Sequence, residues 1–224
     1  MLIDPNIKTV VFDADDTLFC VYPSVAANYR LIFLEFGIDL PESKISTSLV
    51  NNWGQLKGEY LNQANDYVTT IQRETEFWLK FAKSVVIDCT NNANIDVSII
   101  DKIVETLYQR FAKASSRQLN ANILEVLKHL KANNYQVGVF TNNDGRIIPL
   151  LAELKLDHYF DFIEFAGSVG YKKPSVMAFK TLESRYNFKS SEVLHIGNTI
   201  ELDIDPALKA GWKAVLISEF ITCI

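Results

Sequence analysis

The stretch Thr9-Val-Val-Phe-Asp13-Ala-Asp15-Asp16-Thr17-Leu18 joins a short apolar run to three carboxylates and a hydroxyl group. An apolar, β-branched run of this kind predicts a buried strand, and the polar residues after it predict a site at its carboxyl end. Carboxylates this close together repel one another and shift each other's pKa, so such clusters usually hold a cation or divide protonation roles. We therefore expect the chemistry of the protein where this strand ends.

The 224-residue chain has the composition of an ordinary globular protein, with 48% hydrophobic and 22% charged residues and no repeat period. This composition argues against a disordered or solenoid protein. The net charge of −5 argues against a nucleic-acid surface, because binding to a phosphate backbone draws on clustered Lys and Arg. A small phosphate-bearing ligand remains compatible with this charge.

Cysteine usage and hydropathy indicate the compartment. Cys20, Cys89 and Cys223 are far apart and form no CxxC pair, which favours free thiols in a reducing compartment over a disulfide framework or a zinc site. No stretch approaches the ~18 apolar residues of a membrane span, and the N-terminus lacks the pattern of a secretory signal. We expect a cytoplasmic protein that does not bind a membrane.

The order of elements along the chain predicts an α/β protein. Apolar, strand-like runs occur at residues 9–12, 136–140, 193–196 and 214–217, with a weaker run at 162–165. Helical periodicity between them indicates a Rossmann-like parallel sheet with crossover helices. From about residue 22 to 117 helical stripes follow one another without strands. We expect an α/β core at 1–21 and 118–224, interrupted by an all-α domain at 22–117.

Polar clusters follow four of the predicted elements, and all should lie at one edge of the sheet because parallel strands end together there. The clusters are Asp13 to Thr17, Thr141-Asn142-Asn143, Lys172-Lys173-Pro174, and Gly197-Asn198-Thr199 with Asp203. In this order they resemble the four motifs of the haloacid dehalogenase superfamily, a large group of hydrolases with an aspartate nucleophile. Any one motif is weak evidence, but the four together span the chain and are specific.

The resemblance implies a role for each motif residue. The family's DxDx[TV] corresponds to Asp13-Ala-Asp15-Asp16-Thr17, and its phosphatases use the first aspartate as nucleophile and the second as acid and base. Four further residues are implied to hold phosphoryl oxygens: Thr17, Thr141, Asn142 through its backbone N–H, and Lys173. Lys172 competes for the lysine role, but the family places the functional lysine directly before proline. The helical segment is similar to the family's type-one cap, which closes over the active site.

The resemblance also implies Mg²⁺, because one lysine cannot offset a dianionic phosphate beside a carboxylate. The implied ligands are Asp13, the backbone carbonyl of Asp15, Asn198 and Asp203. The family's usual aspartate is replaced by Asn198, whose amide brings no charge. We therefore expect weaker Mg²⁺ binding or greater reliance on Asp203.

The expected function is Mg²⁺-dependent hydrolysis of a small phosphorylated metabolite, and three alternatives stay open. The alternatives are a 2-haloacid dehalogenase, which typically lacks a carboxylate at the position of Asp15, a phosphomutase, and a non-catalytic phosphate-binding module suggested by Asn198. The sequence leaves the substrate and the oligomeric state undecided. Six residues of the helical segment are candidates for leaving-group contacts: Tyr22, Trp53, Lys57, Tyr60, Arg73 and Lys80. His129, His158 and His195 form no ligand spacing and are interpreted as structural.

Overall fold

The computed structural model describes residues 3–90 and 95–222 of the chain. Its strands are β1 (Thr9–Phe12), β2 (Phe19–Val21), β3 (Arg117–Leu119), β4 (Gln136–Thr141), β5 (Phe162–Phe165), β6 (Val193–Gly197) and β7 (Lys213–Leu216). Five of them form one sheet in the order β5-β4-β1-β6-β7, and every pairing in it is parallel. All five predicted runs are strands of this sheet. The last run ends one residue earlier than predicted, because Ile217 begins a helix.

Ten α-helices lie in the described part of the chain. Four follow β2: α1 (Val25–Glu35), α2 (Glu42–Leu61), α3 (Ile71–Thr90) and α4 (Val97–Arg110). Six follow β3: α5 (Ile123–Ala132), α6 (Ile147–Glu153), α7 (Ala166–Val169), α8 (Val176–Tyr186), α9 (Asp205–Lys209) and α10 (Ile217–Thr222). A π-helical turn at Ile200–Ile204 leads into α9. No helix in the described ranges is long and apolar enough to cross a membrane.

The sheet is buried on both faces, which explains why β1 is apolar throughout. Val10 and Phe12 point into a cluster with α5 and α6, whereas Val11 points into a second cluster with α8 and α9. Alternate residues of a strand face opposite sides, so a central parallel strand covered by helices needs apolar residues at every position. Gly138 of β4 is required by packing, because a Cβ atom there would lie 2.0 Å from the Phe162 ring. The predicted α/β architecture is confirmed.

Helices α1 to α4 share a hydrophobic cluster of their own, separate from the two clusters on the sheet. Strands β2 and β3 lie at the two ends of this helical segment and pair as an antiparallel ribbon, with Val21 opposite Arg117. The ribbon was not predicted from the sequence. We propose that residues 22–117 form a cap domain that leaves and re-enters the core through this ribbon.

Contacts beyond the ribbon hold the helical segment against the core. The backbone N–H of Lys172 donates to Tyr67 O at 3.0 Å, and Thr69 N–H donates to Gly170 O at 3.0 Å. The Lys172 ammonium forms an ion pair with Glu74 of α3, and both side chains are buried. Lys172, which competed with Lys173 for a catalytic role in the sequence, therefore ties α3 to the core.

The cysteines agree with the expectation of unpaired thiols where they are described. Cys20 and Cys89 are free. Cys223 lies outside the described residues.

Candidate active site

A cavity of about 400 Å³ lies between the carboxyl ends of β1, β4 and β6 and the helices of the inserted segment. The sequence-predicted site residues that line it are Asp13, Asp15, Thr141, Asn142, Lys173, Asn198 and Asp203. Thr17 is buried next to it, and its hydroxyl donates to Asp13 Oδ2 at 3.2 Å. The structure therefore brings together all of the predicted catalytic, phosphate-binding and metal-ligating residues.

The centre of the site is a lysine between two buried carboxylates. Lys173 Nζ lies 2.6 Å from Asp13 Oδ1 and 2.5 Å from Asp203 Oδ1. Strand β1 supplies Asp13 at its end, whereas Asp203 lies in the π-helical turn after β6. Because the lysine donates to both, it fixes the separation of two groups that would otherwise repel each other.

The pKa values of Asp13, Lys173 and Asp203 are shifted from their usual values in different ways. Burial raises the pKa of Asp13 to about 6 despite the opposing charge of Lys173, and the charge of Asp203 adds to this increase. Burial alone would lower the pKa of Lys173, but the two carboxylates raise it above its usual value. Burial likewise disfavours ionised Asp203, yet Lys173 and His195 hold its pKa well below the usual range. The negative charge of Asp13 is therefore compensated less completely than that of Asp203.

Several protein donors hold the Asp203 carboxylate in place. Its Oδ2 accepts from the backbone N–H groups of Asn198 and Thr199 at 3.2 and 3.1 Å and from the Thr199 hydroxyl at 3.0 Å. His195 Nε2 lies 3.2 Å from its Oδ1. A Cβ atom on Gly197 would lie 2.3 Å from Asp203 Cγ, so only glycine allows this approach. Both oxygens of Asp203 are engaged by the protein, which gives it a positioning role and makes the predicted metal-ligand role less favourable.

Asp15 also lines the cavity. Its side chain is 41% exposed, and Asn143 Nδ2 donates to its Oδ2 at 2.8 Å. Desolvation by the surrounding protein raises the pKa of Asp15, and the charge of Arg117 is the largest opposing effect. A carboxyl group that is oriented by an amide and stays protonated to higher pH is suited to proton transfer. Asn143 was not among the predicted site residues, although it follows Thr141 closely.

Asn142 links the end of β4 to the lysine loop. Its Nδ2 donates to Lys173 O at 2.9 Å, and its Oδ1 accepts from Lys173 N–H at 2.8 Å. The Tyr60 hydroxyl donates to the backbone carbonyl of Asn142 at 2.9 Å. This two-way amide contact holds the Lys173 backbone in place, a role that the sequence did not predict for Asn142.

Of the six cap-side candidates for leaving-group contacts, one lines this cavity. Tyr60 lines it, whereas Trp53 packs face to face with Trp78 at 6.3 Å between ring centroids. Arg73 and Lys80 bond to Glu59 and line a separate cavity, and Tyr22 and Lys57 line neither. The residues of the helical segment that line the cavity are instead Val25, Tyr29, Trp78, Phe81, Ala82, Leu107, Tyr108 and Phe111, which we call the cap-side wall. Arg117 and Arg146 line the cavity as well.

The donor set agrees with a hard divalent cation. Asp13 offers a carboxylate whose charge Lys173 does not fully compensate, and Asn198, whose side chain carries an amide oxygen, lines the cavity; both residues have oxygen ligands of the kind that Mg²⁺ takes. Within residues 3–90 and 95–222, no three His, Cys, Asp or Glu side chains cluster as a metal site. Such a cation would therefore also depend on backbone carbonyl, water or substrate oxygens.

The fold is a parallel α/β core with a helical insertion, and a cluster of carboxylates lies where the strands end. This combination is typical of one class of hydrolases. The sequence model of the haloacid dehalogenase-like hydrolases matches residues 7–211. The chain belongs to this family.

Relatives and solved structures agree with this assignment. The chain is 27% identical over 222 residues to the Rhythmically expressed gene 2 protein of Drosophila melanogaster, which covers 95% of this chain and 83% of that protein. It is 26% identical over 214 residues to the phosphoglycolate phosphatase of Salmonella typhimurium, with 94% and 81% covered.

Among solved structures, YfnB of Bacillus subtilis, described as bound to magnesium, superposes with a TM-score of 0.69 at 18% identity and covers 93% of this chain and 87% of that chain. A 2-haloacid dehalogenase from Pseudomonas syringae superposes with a TM-score of 0.62 at 21% identity, with 94% and 86% covered. At such identities the likeness is one of fold.

Proposed function

We propose that the protein is a Mg²⁺-dependent phosphomonoester hydrolase that acts on a small phosphorylated metabolite through an aspartyl-phosphate. The observation that carries this proposal is the pair Asp13 and Asp15 on one cavity, the first held by Lys173 and the second by Asn143. Two carboxylates with different partners can take the different roles of nucleophile and proton donor.

In the first step, a carboxylate oxygen of Asp13 attacks phosphorus and the bond from phosphorus to the leaving oxygen breaks. Lys173 donates to one oxygen of the Asp13 carboxylate at 2.6 Å, and the Thr17 hydroxyl donates to the other at 3.2 Å. Together they limit the rotation of the carboxylate. A held nucleophile reacts without the entropy cost of finding its orientation. Lys173 also offsets negative charge that builds up between the carboxylate and the phosphoryl group.

Asp15 serves the leaving group and then the water. Its proton goes to the leaving oxygen in the first step, and the resulting carboxylate takes a proton from the water that hydrolyses the aspartyl-phosphate. The raised pKa of Asp15, caused by desolvation, favours the protonated form required at the start. The Asn143 amide donates to one oxygen of Asp15 and leaves the other free to face the substrate.

Asp13, the Asp15 backbone carbonyl and Asn198 would hold Mg²⁺, and Asp203 would support this site by positioning Lys173 and the loop at Asn198. When bound, Mg²⁺ supplies the positive charge that lets a dianionic phosphate approach a carboxylate. The charge of the site supports this: Asp13 is a buried carboxylate with a pKa raised to about 6 by burial, and a neighbouring cation would offset that cost.

The relatives support a phosphatase more than a dehalogenase. Phosphoglycolate phosphatases share 26% identity over most of their length, whereas the dehalogenase similarity is one of fold at 21% identity or less. Loss of halide from carbon needs no proton donor, so Asp15 would have no task in a dehalogenase. A phosphomutase or a phosphate-binding module stays an outcome of the experiment.

The experiment is phosphate release from p-nitrophenyl phosphate and a panel of phosphorylated metabolites, with and without Mg²⁺. Asp13→Asn is expected to abolish turnover, and Asp15→Asn to lower it most for esters with poor leaving groups. Asp16→Asn is the matched control, since Asp16 has φ of 58° in the same loop and asparagine tolerates this conformation. Turnover by Asp13→Asn would refute the mechanism, and phosphate binding without turnover by the unmodified protein would favour a binding module.

A further inference from the structure

Arg117 is a buried cation that lines the cavity, and the proposed mechanism does not use it. Its side chain is only 5% exposed and lies near the rings of Phe19 and Phe111, at 5.6 and 5.7 Å from the guanidinium carbon. One terminal nitrogen donates to the backbone and hydroxyl oxygens of Ser116. The Nε atom has no hydrogen-bond partner in the part of the chain that the structure describes.

The pairing of β2 with β3 places this arginine next to the proposed acid. Arg117 lies opposite Val21, and its Nε is 3.8 Å from Asp15 Oδ1, which is beyond hydrogen-bond distance. Leaving a buried charged donor unpaired is costly, so natural proteins usually supply an acceptor. An acceptor oxygen on a ligand in the cavity would satisfy Nε.

A second unpaired donor lines the same cavity. Trp78 Nε1 is buried and, within the described ranges, has no partner. The ring is held in place by Trp53, which stacks on it, and by Phe81, whose ring meets it edge to face at 6.0 Å. The remaining cap-side wall is largely aliphatic and aromatic, with Val25, Phe81, Ala82, Leu107 and Phe111. The cavity thus combines two unpaired donors with a large apolar surface.

We propose that Arg117 binds a carboxylate of the leaving group and that the apolar wall binds a hydrophobic body, so the substrate is the phosphate ester of a hydrophobic 2-hydroxy acid. This inference rests on the proposed function, because it places the leaving oxygen at Asp15. Nε of Arg117 lies 3.8 Å from Asp15 Oδ1, so a group only a few bonds from the ester oxygen would lie near it. A planar carboxylate matches a guanidinium better than other anions of that size.

The volume of the cavity argues for a body larger than that of a two-carbon acid. About 400 Å³ lies within the range of pockets that enclose drug-sized ligands. A phosphoryl group with a two-carbon leaving group would leave much of the apolar wall in contact with water. A phenyl or branched aliphatic substituent would remove that wall from water and gain binding energy in proportion to the area covered.

Four phosphate esters separate the contributions of the carboxylate and of the apolar body: the O-phosphates of phenyllactate, lactate, phenylethanol and ethanol. We expect kcat/KM to be highest for phenyllactate phosphate and lowest for ethyl phosphate. In Arg117→Met, the kcat/KM of each carboxylated ester relative to that of its neutral partner should fall by about 10- to 100-fold, which is the usual effect of losing a charge-assisted hydrogen bond. The pairs are phenyllactate with phenylethanol phosphate and lactate with ethyl phosphate. Trp78→Phe removes the N–H and keeps an aromatic ring. In this variant the same ratio of kcat/KM, carboxylated to neutral ester, should fall by about 3- to 10-fold.

Arg30→Met is the matched control, because Arg30 bonds to Leu40 and Asp39 in the helical segment and does not line the cavity. An equal loss for all four esters in Arg117→Met would overturn the inference, since it would mean that Arg117 acts only on Asp15. So would the absence of any preference for carboxylated esters in the unmodified protein.

A binding measurement separates failure of this inference from failure of the proposed function. Phenyllactate, the product, is titrated while Trp fluorescence is followed, and Arg117→Met is expected to weaken its binding by about 10-fold or more. If no ester and no p-nitrophenyl phosphate is hydrolysed but this difference is found, the proposed function fails and the subsite stands. If p-nitrophenyl phosphate is hydrolysed and phenyllactate binds equally to both proteins, the subsite is refuted and the function stands.

Discussion

Replacing Asp13 by asparagine is expected to stabilise the fold at neutral pH although it removes the proposed nucleophile. Burial raises the pKa of Asp13 from 3.8 to about 6, which means that the folded state favours the protonated carboxyl. For a group with a raised pKa, the stabilising contribution is complete below the unfolded value near pH 4. It is lost as the pH rises through about 6.

The magnitude follows from the difference between the two pKa values. Raising the pKa from 3.8 to about 6 corresponds to about 3 kcal/mol of lost stability at pH 8. Asparagine does not ionise and has nearly the same shape, so Asp13→Asn should gain up to that amount at pH 8. At pH 4, folded Asp13 is protonated and unfolded Asp13 is near its own midpoint, so most of that difference in stability should have disappeared.

Asp203→Asn is the matched control with the opposite sign. The pKa of Asp203 lies well below its usual value because Lys173 and His195 outweigh burial, so its stabilising contribution is present above about pH 4. Removing it leaves Lys173 without one of its two carboxylates and should cost about 3–5 kcal/mol, as for other broken buried ion pairs.

The assay is urea denaturation followed by tryptophan fluorescence at pH 4 and pH 8, with a chelator present. Adding Mg²⁺ at pH 8 should stabilise the unmodified protein more than Asp13→Asn, because the cation offsets the cost of the buried carboxylate. If Asp13→Asn is destabilised at pH 8 as strongly as Asp203→Asn, then Lys173 compensates both carboxylates equally and the reasoning is refuted.

Three further predictions concern other parts of the molecule. Lys172→Met should lower the free energy of unfolding by about 3–5 kcal/mol, because it leaves Glu74 buried without its cation, whereas Lys172→Met with Glu74→Leu should recover most of it in urea titrations. Asn198→Asp should lower the Mg²⁺ concentration for half-maximal activity by about tenfold, since it adds a charged ligand; an unchanged requirement would exclude Asn198 from the site. Gly138→Ala should lower the free energy of unfolding by about 1–3 kcal/mol, because its Cβ would lie 2.0 Å from the Phe162 ring of β5. Gly54→Ala in α2 has open space around it and should raise the free energy of unfolding by up to about 1 kcal/mol, measured by thermal unfolding.

Local patterns were sufficient for the strands of the sheet and for the motif residues that meet at its edge. Buried parallel strands are recognisable because both faces must be apolar, so Thr9–Phe12 and Phe162–Phe165 were located to the residue. The β2–β3 ribbon was missed because its three-residue strands are far apart in sequence and alternate too briefly to form a pattern.

The cap-side wall was predicted less well than the catalytic side. Tyr60, a candidate for a substrate contact, lines the cavity, whereas Trp53 packs on Trp78 in an aromatic cluster. Helical periodicity shows which residues share a face, but not whether that face meets another helix or the cavity. Arg117 gave no signal in the sequence, since its position depends on the strand that it pairs with.

The amino-acid sequence by itself determined the parallel sheet, the order of the four polar clusters and the choice of the proposed reactive groups, because these depend on local composition and spacing. Only the tertiary structure decided how far the charge of each group is compensated by its neighbours, and hence how its pKa is shifted. It placed Lys173 between Asp13 and Asp203, gave Asp203 a full set of donors, and left Asp13 with the raised pKa. It also brought Arg117, whose Nε has no hydrogen-bond partner among the described residues, to the cavity. The reason is physical: burial and the distance between charges arise from long-range packing, and they determine the pKa of each group and what it can bind.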